Sequence, residues 1–444
     1  MSENLTLKDG DIIKLFFKFA IPSIFGMLII SLETMIDGIF LGRNVGAVGL
    51  AAINLSMPLI NFLFSIGLMI SIGGGVIASI YSGRKKYNKA YETTTLTLVL
   101  LVVVLQTLSI FIIFNLDFFI KLLGANSEAY PYVKSYLLPM MIGAFFFTSP
   151  VFTETFARIE NKPNWVFISG ITCLTTNVIL DYLFIVKLNW GMTGGAIATL
   201  CACGSGFFAL LPQLKFKKLK PKLYLYTKDI KNIFYNGSSE MLSLVASTTS
   251  VYLFNRILMK EIGVLGISAM TIIFYIYQIL NTVLYGLSQA LQPLVSYNLG
   301  AKDLFKINAV LKISFISGAI IGVMFYIITH LIGNNIIEIF SKGNTELIRL
   351  AGQALFYISF TFLISFLNII TTSFLTAIEK PLESIIVSLG RSIVFIVIPL
   401  FTLPKLIGSR GIWLSIPIAE SLCLIVSFIL MNRAKTYLHN IIER

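Results

Sequence analysis

LGRNVGAVGLAAINLSMPLINFLFSIGLMISIGGGVIASIYSGRKKYNK (41–89) carries no charged residue between Arg43 and Arg84, then breaks into a basic cluster. The hydrocarbon core of a bilayer needs roughly 20 apolar residues to cross it as a helix, so this run is long enough to span. The same alternation of apolar run and charged or Gly/Asn-rich break continues along the chain. It predicts twelve spans, near 12–42, 48–80, 92–115, 130–157, 164–187, 191–214, 230–259, 264–298, 308–333, 346–377, 383–404 and 410–432. Several exceed 25 residues, which calls for tilt or bends rather than additional spans. Composition agrees: 56% of the 444 residues are hydrophobic and 12% charged, about half the ~25% charge of soluble domains. A soluble enzyme, a disordered regulator and a disulfide scaffold are excluded. The expected fold class is an all-α integral membrane protein with the lipid bilayer as its solvent.

Part of the quoted stretch returns 217 residues later. GAVGLAAIN (46–54) lies over GVLGISAMT (263–271), SIYSGRKKYNK (79–89) over SYNLGAKDLFK (296–306), and GMTG (191–194) over GSRG (408–411). Six spans per half is an even number, so the halves share one topology and are expected to be related by a pseudo-two-fold axis along the membrane normal. The expected organisation is an N-terminal six-helix lobe (1–214), a Lys-rich cytoplasmic linker (215–229) and a C-terminal six-helix lobe (230–444). That plan suits a carrier better than a channel or an intramembrane enzyme.

The net charge of +13 would suggest nucleic acid in a soluble protein. Here the basic residues sit between spans, where they set orientation. Placing both termini in the cytoplasm puts 23 Lys/Arg inside and 10 outside. The expectation is a multi-pass protein of the cytoplasmic membrane that binds no nucleic acid. The opening MSENLTLKDGDIIK lacks the basic start and cleavage pattern of a signal peptide, so the first span is expected to remain. Cys173, Cys201, Cys203 and Cys423 all fall in apolar segments, so neither a disulfide nor a metal site is expected.

Ionisable residues inside spans are costly and point to function. They are Glu33, Asp37, Glu154, Asp181, Glu240, Arg391 and Glu420. Glu154 stands four residues before Arg158, and an i,i+4 ion pair accounts for it. Asn177 and Asp181 share one face of the fifth span. At 1.5 Å per residue, Asp37 and Asp181 each lie ~9 Å from the outer end, Thr199 ~12 Å and Asn177 ~15 Å. At offset 217 these four correspond to Phe254, Val394, Ile398 and Ile416; one register further gives Phe395 and Pro399 on the eleventh span. The second lobe therefore keeps the scaffold without the polar cluster. Two carboxylates, an amide and a hydroxyl offer hard oxygen ligands for Na⁺. A buried carboxyl can instead carry a proton. A cluster that only joins helices by hydrogen bonds is the alternative.

Glu33, one turn before Asp37, is a candidate for lining the same cavity. Glu240, Arg391 and Glu420 are candidates for substrate contact in the second lobe, with a structural Glu–Arg pair as the competing account. Pro22 is a candidate hinge in the first span. A cavity rich in Phe (36) and Met (13) and carrying acidic groups would take bulky, amphipathic, often cationic small molecules.

IDGIFLGRNVGAVGLAAINLSMP (36–58), SGRKKYNKA (82–90), NVILDYLFI (177–185), WGMTGGAIAT (190–199), GSSE (237–240), QPLVSYNLGAKD (292–303) and GRSIVFIVIP (390–399) together resemble the multidrug and toxic compound extrusion (MATE) family, nearest its bacterial MepA-like branch. The resemblance covers essentially the whole chain. It implies two six-helix lobes and export of drugs against inward Na⁺ or H⁺ by alternating access. Asp37, Asn177, Asp181 and Thr199 then hold the coupling ion, and Pro22 matches a bending proline of the first span. Glu420 departs from the branch, where Asp is common. No cofactor besides the coupling ion, no catalysis and a monomeric state are expected. A flippase or exporter for a lipid-linked precursor or endogenous metabolite is the alternative; it would call for a basic central cavity. No HExxH, GxSxG or GxxxxGK[ST] occurs.

Overall fold

The computed structural model describes residues 12–214, 227–341 and 344–442, and among them no strand occurs. The first five helices are α1 (Ile12–Asn44), α2 (Ala47–Gly83), α3 (Tyr87–Phe114), the short α4 (Leu116–Leu122) and α5 (Tyr130–Ile142). They are followed by α6 (Ala144–Ile159), α7 (Pro163–Asp181), α8 (Gly191–Leu210), α9 (Thr227–Glu261), α10 (Val264–Ala301) and α11 (Leu304–Ser341). The last five are α12 (Thr345–Ser359), α13 (Ser365–Ala377), α14 (Pro381–Leu389), α15 (Phe395–Ile407) and α16 (Ser409–Ile442). Each expected span has its helix. The fourth is α5 and α6 bent by 52°, and the tenth is α12 and α13 bent by 43°. Among the described residues, up to eleven spans are long and apolar enough to cross a membrane. The remaining one, the seventh span, is α9, which is long enough but carries Asn236, Ser239, Glu240 and a run of hydroxyls at 247–250.

The chain divides into two compact units, Met1–Met241 and Leu242–Arg444, so the division falls inside α9. Positions 215–226 of the Lys-rich stretch lie outside the described residues. In the first unit Gly73 and Gly237 let α2 and α9 cross closely: a Cβ at Gly237 would stand 1.8 Å from the Met69 carbonyl oxygen. Lys134 ion-pairs with Asp117 of α4 at 3.1 Å. Tyr130 also donates to Asp117, and these bonds hold that carboxyl below its usual range.

The repeat is visible in the backbone. Left-handed φ values recur in pairs: Gly46 and Gly263 (86° and 84°), Lys85 and Lys302 (both 58°), Asn161 and Glu379 (58° and 61°), Gly191 and Gly408 (53° and 65°). The offset is 217 for three pairs and 218 for the Asn161/Glu379 turn.

Burial shows where the offset drifts. Along the eleventh span, buried Pro163, Val166, Ser169 and Gly170 match buried Pro381, Ser384, Val387 and Ser388, an offset of 218. A π-helical segment, Gly390–Val394, then inserts one residue. Beyond it the buried faces match at 219, so Asn177 and Asp181 correspond to buried Ile396 and Leu400. The offset-217 positions Val394 and Ile398 instead point outward, 52% and 59% exposed. The counterparts remain apolar, so the asymmetry between halves holds with different residues.

Outward faces are apolar, as lipid requires. On α11, Ile316, Ile320, Val323, Ile327 and Leu331 form an exposed stripe at helical spacing.

Candidate cation site

In the first unit α7 packs between α1 and α8. The three helices bring two tiers of side chains together, one turn apart. The first tier joins Asp37 of α1, Asn177 and Asp181 of α7, and Thr199 of α8, the four residues expected from depth. Thr199 Oγ1 donates to Asp37 Oδ2 at 3.2 Å while also bonding the Gly195 carbonyl at 3.0 Å. Asn177 and Asp181 are completely buried. Five of the tier's polar atoms have no well-formed hydrogen bond within the protein: Asp37 Oδ1, both amide atoms of Asn177 and both carboxylate oxygens of Asp181.

That deficit decides what the arrangement can do. A buried polar atom without a partner costs roughly 1–3 kcal/mol, more if charged. A cluster built only to join helices would satisfy its members on one another. Oxygen donors left over around two carboxylates fit a hard monovalent cation or bound protons. The residues present therefore fit Na⁺ and H⁺ alike.

The second tier lies one turn toward the other end of each helix. Glu33 precedes Asp37 by four residues, Cys173 precedes Asn177 by four, and Cys203 follows Thr199 by four on the antiparallel α8. Glu33 is buried, and Cys173 Sγ stands 3.6 and 3.5 Å from its two carboxylate oxygens. Sequence reasoning named Glu33 but read Cys173 and Cys203 as residues of apolar segments, with no metal site expected of them. The i,i+4 spacing to the first tier was the signal that could have found them.

The second unit fills the equivalent place with an internal ion pair. Arg391 Nε donates to Glu420 Oε1 at 2.5 Å, and its Nη2 reaches Tyr277 Oη and Asn281 Oδ1, both at 3.2 Å. Asn368 Nδ2 donates to Glu420 Oε2 at 2.6 Å, and Ser427 donates to Asn368 Oδ1 at 2.7 Å. Arg391 and Glu420 thus meet each other, as the structural-pair account expects. Tyr277, Asn281 and Asn368 were not anticipated, because uncharged polar residues are common in spans. Glu240 is half-buried on the portion of α9 that belongs to the first unit, whereas Arg391 and Glu420 belong to the second. Glu154 and Arg158 form the expected i,i+4 pair at 3.3 Å, and Arg158 also donates to Ser23 at 3.0 Å. Pro22 lies inside α1, which continues through it as helix.

Known proteins resemble the chain along its whole length. The Multidrug export protein MepA of Staphylococcus haemolyticus is 24% identical, covering 98% of each chain. MepA of Staphylococcus saprophyticus is 24% identical over 93% of this chain and 92% of its own. Among solved structures, the Vibrio cholerae MATE transporter VcmN in its bent form superposes with a TM-score of 0.90 at 18% identity, covering 96% and 98% of the two chains. A MOP superfamily transporter from Pyrococcus furiosus, described as having a binding pocket of reversed polarity, gives 0.91 at 20% identity over 99% of both. These likenesses confirm the fold. The MatE family itself matches twice, over 22–183 and 241–401, one copy in each half of the repeat. With both copies in place over most of its length, the chain belongs to the MatE family.

Proposed function

We propose that this protein is a secondary antiporter of the cytoplasmic membrane, with both termini inside, that exports bulky cationic compounds in exchange for Na⁺ or H⁺. The observation that carries the proposal is the set of five buried polar atoms around Asp37, Asn177 and Asp181 that lack a well-formed hydrogen bond within the protein. Family membership and the MepA relatives, named as multidrug export proteins, support the export half.

The chemistry follows from charge. With the site empty, Asp37 and Asp181 place two carboxylates together in a low-dielectric interior, where like charges repel strongly. A cation or protons arriving there relieve the repulsion and bring the three helices under new constraint. Transport results if the neutralised and charged forms favour different conformations, since a ligand shifts an equilibrium only by its differential affinity. The coupling is reciprocal, so substrate binding weakens ion binding by the factor with which the ion weakens substrate binding. Thr199 positions the Asp37 carboxylate, and Pro22 is the proposed bending point of α1. A flippase for a lipid-linked pyrophosphate would need basic groups to meet it, whereas Arg391 is already engaged by Glu420.

The test is ethidium movement into or out of proteoliposomes under an imposed Na⁺ or proton gradient. Wild-type protein should move dye under at least one gradient, and Asp37→Asn should abolish gradient-driven movement. Full gradient-driven transport by Asp37→Asn would remove the site from the mechanism.

A further inference from the structure

We infer that Glu33, Cys173 and Cys203 form a binding site for a thiophilic divalent cation of the Zn²⁺ and Cd²⁺ class. The three offer one carboxylate oxygen and two sulfurs, all within 4.8 Å of one another and all on buried residues. Tetrahedral zinc, with Zn–S of about 2.3 Å and Zn–O of about 2.0–2.2 Å, holds a sulfur and an oxygen roughly 3.5–3.7 Å apart. Cys173 Sγ already stands 3.5 and 3.6 Å from the Glu33 oxygens. Little rearrangement separates this triad from a three-ligand site whose fourth position is open to water.

A thiol–carboxylate hydrogen bond alone would also give that distance. The repeat argues for more. The offset of the matched turns places Cys203 opposite Glu420 and Glu33 opposite Ser250 (217 residues), and the offset read from burial places Cys173 opposite Arg391 (218). In the second unit this location carries its own cation, the Arg391 guanidinium, bonded to Glu420. In the first unit the same location holds three groups that can each become anionic. Among the described residues no ion pair joins Glu33 to a basic side chain. An exogenous cation would complete in the first unit what arginine completes in the second.

The donor set fixes the class of ion. Two sulfurs select against Na⁺, Mg²⁺ and Ca²⁺ and favour soft or borderline metals. Each ligating thiol gives up its proton as the metal arrives. The all-oxygen tier one turn away has the opposite preference, so the two tiers discriminate between hard and soft cations. The inference concerns binding and does not depend on transport, so the two readings fail separately.

The experiment is a Cd²⁺ titration of the purified full-length protein in detergent, read by thiolate-to-cadmium charge-transfer absorption. In parallel, mass spectrometry follows maleimide labelling of each cysteine with and without Cd²⁺. One equivalent should bind, with Cys173 and Cys203 protected together. Cys173→Ser and Cys203→Ser should lose the band, Glu33→Gln should weaken it, and Cys201→Ser and Cys423→Ser should keep it. Should a triad variant not fold, the wild-type protection pattern decides alone. Absence of the band, protection confined to Cys201 or Cys423, or a band that survives Cys203→Ser overturns the inference.

Discussion

Glu420 receives Arg391, Tyr277 and Asn368, so the carboxylate and guanidinium of the second unit are each other's solvent. Replacing one member strands the other in a buried setting, at a cost of about 3–5 kcal/mol. Replacing both with apolar side chains of similar volume removes the desolvation problem together with the attraction. Arg391→Met and Glu420→Leu alone should each lower the thermal midpoint in detergent strongly, and the double variant should recover most of it. Equal loss in all three would show that the pair's other partners, not its charge balance, set the cost. At this scale the sequence was informative where side chains are ionisable. Asp37, Asn177, Asp181 and Thr199 could be joined by depth alone, because charge inside a span is rare enough to be a signal. Cys173 and Cys203 carried no such signal, since cysteine in a span reads as a small apolar residue. Their chemistry appears only once Glu33 is brought against them.

Among elements, the turn between the first two spans of each half shows what a glycine is for. Gly46 (φ 86°, ψ −165°) and Gly263 (φ 84°, ψ −159°) occupy a region of backbone space open essentially to glycine alone. An added Cβ would touch nothing at either position. Gly46→Ala and Gly263→Ala should therefore each cost about 1–3 kcal/mol through backbone strain, measurable as matched falls in thermal midpoint. The π segment at Gly390–Val394 makes a different demand. It absorbs one residue relative to the first half, so deleting Ile393 should convert it to ordinary helix and keep both flanking faces in phase. Deleting Val178, which lies between Asn177 and Asp181 and ahead of the π-helical segment Tyr182–Lys187 that continues α7, should turn Asp181 by about 100° away from Asn177. The Ile393 deletion should thus express and melt nearer to wild type than the Val178 deletion. The helices and their order were legible as apolar runs. The one-residue drift was not, because no residue type marks a π turn; only the change in which side chains are buried reveals it.

At the level of the whole molecule, duplication and divergence were readable because matched turns hold their glycines while the surfaces between them change. The bends at Gly143 and Ile364 were anticipated only as excess length in two spans. What hydropathy understated is α9. Its exposed hydroxyls turn back on their own helix: Ser247 and Thr248 donate to the Leu244 carbonyl at 2.8 and 3.1 Å, and Thr249 to that of Val245 at 3.0 Å. Returning those protons to the backbone lowers the cost of leaving water but does not supply the apolar surface that draws a helix into lipid. Biogenesis inherits the consequence. As the ribosome delivers this segment, the translocon meets a helix less apolar than its neighbours, and retention until α10 emerges is the expected outcome. In a glycosylation-mapped insertion assay α9 alone should remain largely uninserted, and the α9–α10 hairpin should enter as a unit. On that expectation the midpoint of the polypeptide is the step at which insertion depends on a following neighbour, whereas the first copy begins with the apolar α1.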